Sequence, residues 1–235
     1  ALVLRHGLCC RFGQTFLFNE ILETTVKSSA PPVFQKIDMI KRAFDIVFSS
    51  IGLIVFAPVL LIVAALILLT SPGPVFYRGE RTGLAGISFK IFKFRTMVED
   101  AEVLGGSSTS DNDCRITWVG GFLRKYKIDE LPQLFNVICG EMSFVGPRPE
   151  VKKYTDMYSS VEKNILNVRP GITDWASLAN SDEGAILVGY DDPDKAYEEV
   201  IRPEKLRLQL KYVRERSFFK DLAIIWRTLV AVVSR

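Results

Sequence analysis

From Ile46 to Thr70 almost every residue is apolar, and this run limits what the chain can become more than any other feature. Only Ser49, Ser50, Gly52 and Pro58 interrupt it before its end. About 20 consecutive apolar residues suffice to cross the hydrocarbon core of a bilayer, so a membrane helix is the first expectation. A single span is its simplest form. Two features favour a helix that enters and leaves by the same leaflet. Pro58, preceded by Ala57, lies near the middle; it lacks an amide hydrogen and its ring clashes with the carbonyl four residues earlier, which predicts a break. Lys36, Lys41 and Arg42 precede the run, and Arg78 and Arg81 follow it. Positive residues favour the cytoplasmic side, so a single span would leave one cluster on the wrong face. The pattern predicts a re-entrant helix–break–helix over residues 36–74.

The remainder is organised around that element. Residues 1–35 form an N-terminal extension without the cleavage pattern of a signal peptide, bounded by Pro31-Pro32. The chain begins at Ala1 rather than Met, as expected of a sequence that is processed, engineered or cut from a longer one. The 235 residues are long enough for one domain with a core and too short for two large ones, and residues 75–235 are expected as a catalytic domain on the cytoplasmic face. Ser71-Pro72-Gly73-Pro74 breaks the helix, and Val75–Arg78 and Ser88–Phe94 read as strands joined across Gly83 and Gly86. Glu99–Asp113 reads as a surface loop or lid. Helical patterning returns over Val119–Tyr126. Asp129 is a candidate N-cap for the next helix, with Pro132 in its first turn and Gly140 as its stop. Pro203–Ser217 reads as a charged amphipathic helix. In Phe219–Arg235, Leu222, Ile225, Trp226, Leu229 and Val232 recur at helical spacing, which favours a helix in the membrane interface over a core helix. The fold class is α+β, mainly α, with a small β-hairpin and interfacial amphipathic helices.

Composition narrows the chemistry. The 30 Lys and Arg exceed the 27 Asp and Glu by only three, too little to call for nucleic acid. The four cysteines form no CxxC pair, and His6 is the only histidine, which disfavours a histidine triad or a histidine-rich zinc site.

Asp129 and Glu130 are adjacent at a helix start, where acidic residues are common for capping alone. Their surroundings raise the functional reading. Arg124 precedes them, Lys93 and Arg95 end the second strand, and Arg148 sits in Gly146-Pro147-Arg148-Pro149. Cations near a helix N-terminus suit phosphates, and adjacent carboxylates suit a hard ion such as magnesium. Pro147 and Pro149 fix the backbone on both sides of Arg148 and so present its guanidinium from a rigid mount.

These blocks resemble the bacterial sugar transferases, monotopic polyprenyl-phosphate phosphoglycosyl transferases of capsule, O-antigen, exopolysaccharide and glycoprotein pathways. The resemblance rests on Lys41-Arg42-Ala43-Phe44-Asp45, Phe76-Tyr77-Arg78, Arg81-Thr82-Gly83 and Lys93-Phe94-Arg95-Thr96-Met97. It is strongest in Asp129-Glu130-Leu131-Pro132-Gln133-Leu134-Phe135-Asn136-Val137, Gly140-Glu141-Met142-Ser143 and Val145 through Pro149, and extends to Arg169-Pro170-Gly171-Ile172-Thr173. It implies Asp129 as nucleophile and Glu130 as a magnesium-associated carboxylate. The implied reaction moves a sugar-1-phosphate from a UDP-sugar to polyprenyl (undecaprenyl) phosphate through an aspartyl phosphosugar, with release of UMP, at the bacterial inner membrane. The implied partners are donor, acceptor and membrane lipid, with no nucleic acid and with a homodimer left open. Two departures stand out: Ala57-Pro58 where relatives often have Ser-Pro, and Asp174 where they often have Gly. A non-catalytic subunit of a polysaccharide assembly complex and a lipid diphosphate phosphatase are the rival readings.

Overall fold

The computed structural model describes residues 32–106, 108–180 and 183–234. The expected extension therefore falls outside the described residues up to position 31. Helix α1 (Pro32–Thr70) carries the whole apolar run, and Pro58 lies inside it. The helix runs through Pro58 without an interruption of its helical backbone, where the sequence predicts a break. Pro58 removes one backbone bond there, while the turns on either side keep theirs. Val55, Leu61, Ile62 and Leu69 are exposed, as are most of the large side chains of this helix. Its Asp38–Thr70 stretch contains an 18-residue window of mean hydropathy 3.1 and is long and apolar enough to cross a membrane.

Both halves of α1 nevertheless lie on one body. In the first half the contacts are polar. Lys41 Nζ donates to the Val145 carbonyl (2.6 Å), the Tyr212 hydroxyl (2.8 Å) and Asp221 (2.6 Å). Arg42 donates to the carbonyls of Val137 and Ile138, and Asp45 accepts from the Phe144 amide. Lys41 and Arg42, expected as flanking charges, are thus anchors. In the second half the contacts are apolar: Val63 and Ile67 are buried against Phe94, Val119 and Leu123. Each such aliphatic side chain contributes about 1.5–3 kcal/mol when fully buried.

The expected hairpin is present in two ladders. Strand β1 (Phe76–Tyr77) is followed by β2 (Glu80–Thr82), β3 (Ser88–Lys90) and β4 (Lys93–Phe94). The outer pair β1–β4 and the inner pair β2–β3 are both antiparallel and keep one register, with Phe76 opposite Phe94 and Thr82 opposite Ser88. A one-turn helix, α2 (Ala101–Leu104), interrupts the loop that follows. Next come α3 (Trp118–Lys125), whose Thr117 cap accepts from the Gly120 amide, and α4 (Gln133–Ile138). Gly140 ends that segment at a φ of +81°, a conformation glycine adopts without a Cβ clash. Asn136, fully buried, ties α4 to the hairpin: it accepts from the Phe92 amide and donates to the Lys90 carbonyl.

The rest of the chain closes behind α4. Strand β5 (Ser143–Val145) pairs in parallel with β6 (Gly171–Thr173), across the one-turn helix α5 (Lys152–Thr155). A Cβ on Gly146 would lie 2.3 Å from the Arg169 carbonyl oxygen, so only glycine admits this approach. The last helices are α6 (Trp175–Ala179), α7 (Glu183–Ile186), α8 (Pro193–Ala196), α9 (Arg202–Glu215) and α10 (Phe218–Val233). In α10, Asp221 and Ile224 are buried while Phe219, Trp226 and Val233 are exposed.

Candidate active site

The acidic pair is set by a sharp reversal rather than by a helix cap. After α3, Lys127 takes a left-handed backbone (φ +56°) and Ile128–Glu130 form one 3-10 turn. A long side chain in that region costs on the order of 1 kcal/mol. The cap of α4 is Pro132, so Asp129 is not the N-cap expected from the sequence. It precedes α4 by a turn and faces inward; both Asp129 and Glu130 are buried.

The two carboxylates differ in their partners. Glu130 Oε1 accepts from Lys93 Nζ at 2.7 Å and from Arg148 Nη2 at 2.5 Å, and Oε2 accepts from Arg148 Nη1 at 3.3 Å. Burial alone would raise the carboxyl of Glu130, but Arg148 and Lys93 overcome it and hold the group well below its usual range. Arg148 is stabilised as a cation in turn, its titration pushed up by Glu130. Asp129 has less support. Lys93 stands 4.0 Å from its Oδ2, and its buried Oδ1 has no protein partner among the described residues. Burial pushes its carboxyl up, against the opposing pull of Lys93.

The other expected site residues separate. Arg124 lies within electrostatic reach of Asp129, and its Nη1 is buried without a partner. Arg95 is not brought to the carboxylates. It is buried, and its guanidinium donates to the carbonyls of Pro72 and, at 2.8 Å, Ser71. Those carbonyls follow the end of α1, where helical backbone leaves acceptors without partners. Arg95 serves them in this structure. Pro147 and Pro149 flank Arg148 as expected, and the mount has further ties. Asp174 Oδ2 accepts from the Arg148 amide (3.3 Å) and from Gln209 Nε2 (3.3 Å), while its Oδ1 caps α6 through the Ser177 amide (2.6 Å).

Behind the mount lies a polar cluster that the sequence reading did not find. Glu150, next after Pro149, accepts from the hydroxyls of Tyr197 (2.6 Å) and Tyr158 (3.3 Å). Lys205 stands 3.5 Å from Glu150 and 3.2 Å from Glu183, and donates to the Tyr197 hydroxyl at 2.9 Å. In the sequence Lys205 is one more charge in a charged helix, and nothing marks it as buried. Asp174 alone carried a signal, as a capping residue ahead of a helical run.

Among the described residues, no three or more His, Cys, Asp or Glu side chains come together as a metal cage. A magnesium ion takes one or two carboxylates and completes its shell with water and substrate phosphates, so it needs no such cage. The orphaned Oδ1 of Asp129 fits that requirement, and Glu130 Oε2 retains room beside its one long bond to Arg148.

A long apolar helix seated on a small, mainly helical body, with an acidic pair clamped among cations, frames the candidate site. The chain belongs to the bacterial sugar transferase family, whose model matches residues 36–235. It is 35% identical over 205 residues to a UDP-N-acetylgalactosamine-undecaprenyl-phosphate N-acetylgalactosaminephosphotransferase of Aeromonas hydrophila, covering 83% of this chain and 44% of that protein. It is 38% identical over 211 residues to the exopolysaccharide production protein ExoY of Rhizobium meliloti, covering 83% and 85%. It is 36% identical over 196 residues to a UDP-glucose:undecaprenyl-phosphate glucose-1-phosphate transferase of Escherichia coli, covering 81% and 39%. The chain thus spans less than half the length of the first and third of these relatives.

Proposed function

We propose that this chain is a phosphoglycosyl transferase that moves a sugar-1-phosphate from a UDP-sugar to undecaprenyl phosphate, releasing UMP. The observation that carries this is Asp129: a buried carboxylate with an oxygen left without a partner, beside a Glu130 whose charge Lys93 and Arg148 already balance. In the first step an oxygen of Asp129 attacks the β-phosphorus of the donor. The bond from that phosphorus to the bridging oxygen breaks, and UMP leaves with the electron pair. In the second step an oxygen of the lipid phosphate attacks the same phosphorus and Asp129 departs as carboxylate. Two displacements with one anion each replace a single encounter of two anionic phosphates. In this reading Arg124 and Arg148 offset charge on the phosphoryl oxygens; Arg148 beside Glu130 and Arg124 within electrostatic reach of Asp129 support it. Magnesium, held by Asp129 and Glu130, would supply further neutralisation of the pyrophosphate. The names of the relatives, with sequence identity across most of this chain, support the donor and acceptor classes.

The test is a reaction without lipid acceptor. Enzyme with UDP-sugar and magnesium should release at most about one UMP per site and gain the mass of a sugar phosphate on the peptide that contains Asp129. Asp129→Asn should lose the adduct and keep the fold; turnover comparable to the parent would sink the two-step route. UMP release that depends on added undecaprenyl phosphate separates a transferase from a phosphatase.

The reading includes a re-entrant α1, with both ends on the cytoplasmic face of the inner membrane. Lys41 and Ile67 lie about 39 Å apart along a straight helix, more than a hydrocarbon core is thick. Yet the anchors at Lys41 and Arg42 and the apolar seat at Val63 and Ile67 meet one small body. A body confined to one side of the bilayer is served by a helix that returns. Cysteines substituted at Lys36 and Arg78 should label from the same side of sealed vesicles, and labelling from opposite sides would establish a span.

A further inference from the structure

We propose that Glu183 is a specificity-determining residue that reads the donor's sugar by accepting hydrogen bonds from its hydroxyls; this rests on the phosphoglycosyl transferase reading. Glu183 opens α7 with 31% of its side chain exposed. One oxygen is held by Lys205 at 3.2 Å, and the other has no protein partner among the described residues. Lys205 is buried and is itself fixed by Glu150 and Tyr197, and Glu150 adjoins the Pro147-Arg148-Pro149 mount. Glu183 and Arg148 are therefore carried on one frame. Glu183 also lies within electrostatic reach of Arg148 and of Lys127, the residue that turns the chain into the acidic pair. A third carboxylate thus stands at the margin of the place where two phosphates must arrive.

The chemistry of that placement selects the ligand. A carboxylate repels the pyrophosphate of the donor and the phosphate of the acceptor. What it fits is a neutral hydrogen-bond donor, and the sugar of a nucleotide sugar offers several hydroxyls close to the β-phosphate. The loop that starts at Glu99 takes part, because the Asp111 amide donates to the Gly184 carbonyl at 3.2 Å and so helps to hold α7 in place. A site built to bond a substrate hydroxyl rejects an epimer that cannot make the bond, because its own polar group is then left unpaired.

The experiment measures UMP release by the full chain in detergent with undecaprenyl phosphate and four donors: UDP-glucose, UDP-galactose, UDP-N-acetylglucosamine and UDP-N-acetylgalactosamine. Glu183→Ala should lower the ratio of kcat/KM between the best and the next donor by at least about tenfold. Glu183→Asp, which keeps the charge and withdraws it by one methylene, should shift the ratio in the same direction, and it serves as the deciding variant if the alanine protein does not fold. Inhibition by UMP, which carries the ribose hydroxyls but lacks the transferred hexose, should be unchanged, as should the KM for lipid. An unchanged ratio in a folded variant overturns the proposal. Weaker UMP inhibition with equal losses for all donors also overturns it and moves Glu183 to the nucleotide. A parent that releases no UMP with any donor defeats the transferase reading, and this proposal with it.

Discussion

Around Glu130 two cations meet one carboxylate at contact distance on rigid supports, whereas the segments that meet near residues 106–111 and 183–194 are joined by a few bonds at the surface. Arg148 comes from a proline-flanked turn and Lys93 from a short strand, and both reach Glu130 within 2.7 Å. On the other side, Asp194 accepts from the Ser108 amide at 2.7 Å and from the half-exposed Lys153 at 3.3 Å. The contrast divides the labour. The acidic pair is held on proline, strand and buried charge, while the second region is fastened by side chains that can be exchanged singly.

The sharpest way to break the first half is Arg148→Ala. Loss of a charge-assisted phosphate contact is worth about 1.5–3 kcal/mol, so turnover should fall at least about tenfold, with Glu130 left to Lys93 alone. Arg148→Lys should recover only part, since the two-pronged bond to Glu130 is lost. Near-normal UMP release by a folded alanine variant would assign Arg148 to structure.

Asp194→Ala tests the second half. It removes the acceptor of the Ser108 amide and should cost about 1–2 kcal/mol locally, seen as faster limited proteolysis between residues 105 and 113. The same protection in parent and variant would show that the clasp is carried elsewhere.

The smallest effect concerns Asp113, whose bonds to Arg115 depress its carboxyl below the usual range. A group with a depressed folded pKa stabilises the protein above its unfolded value of about 3.9, and loses that contribution as pH falls through the folded value. The difference in melting temperature between the parent and Asp113→Asn should therefore stay level from about pH 7 to 5 and shrink below about pH 4. A difference that grew on acidification would contradict the assignment.

Much of the architecture was legible because it is local. The apolar run, the hairpin with its glycine turn, α3, Gly140 as a stop and the two C-terminal helices all follow from spacing and from residues with special backbones. The errors lie where a distant partner decides. Nothing in Lys93-Phe94-Arg95 shows that the arginine turns to the end of α1 and bonds the carbonyls there. Asp129 has the composition of a cap, and the left-handed Lys127, which no pattern announces, turns it inward. Lys205, Glu150 and Glu183 are far apart in sequence, so their meeting could not be read from any window of it.

The bond between Arg95 and the carbonyls at Ser71 and Pro72 has a mechanical consequence. Arg95 and Lys93 are separated by Phe94 alone, and Phe94 is buried against Val63 and Ile67. The outgoing end of α1 is thereby geared to the residue that grips Glu130, with hardly any slack between them. A tilt of that helix acts as a lever on Lys93, so a load on the end of α1 enters the geometry of the site through a linkage three residues long.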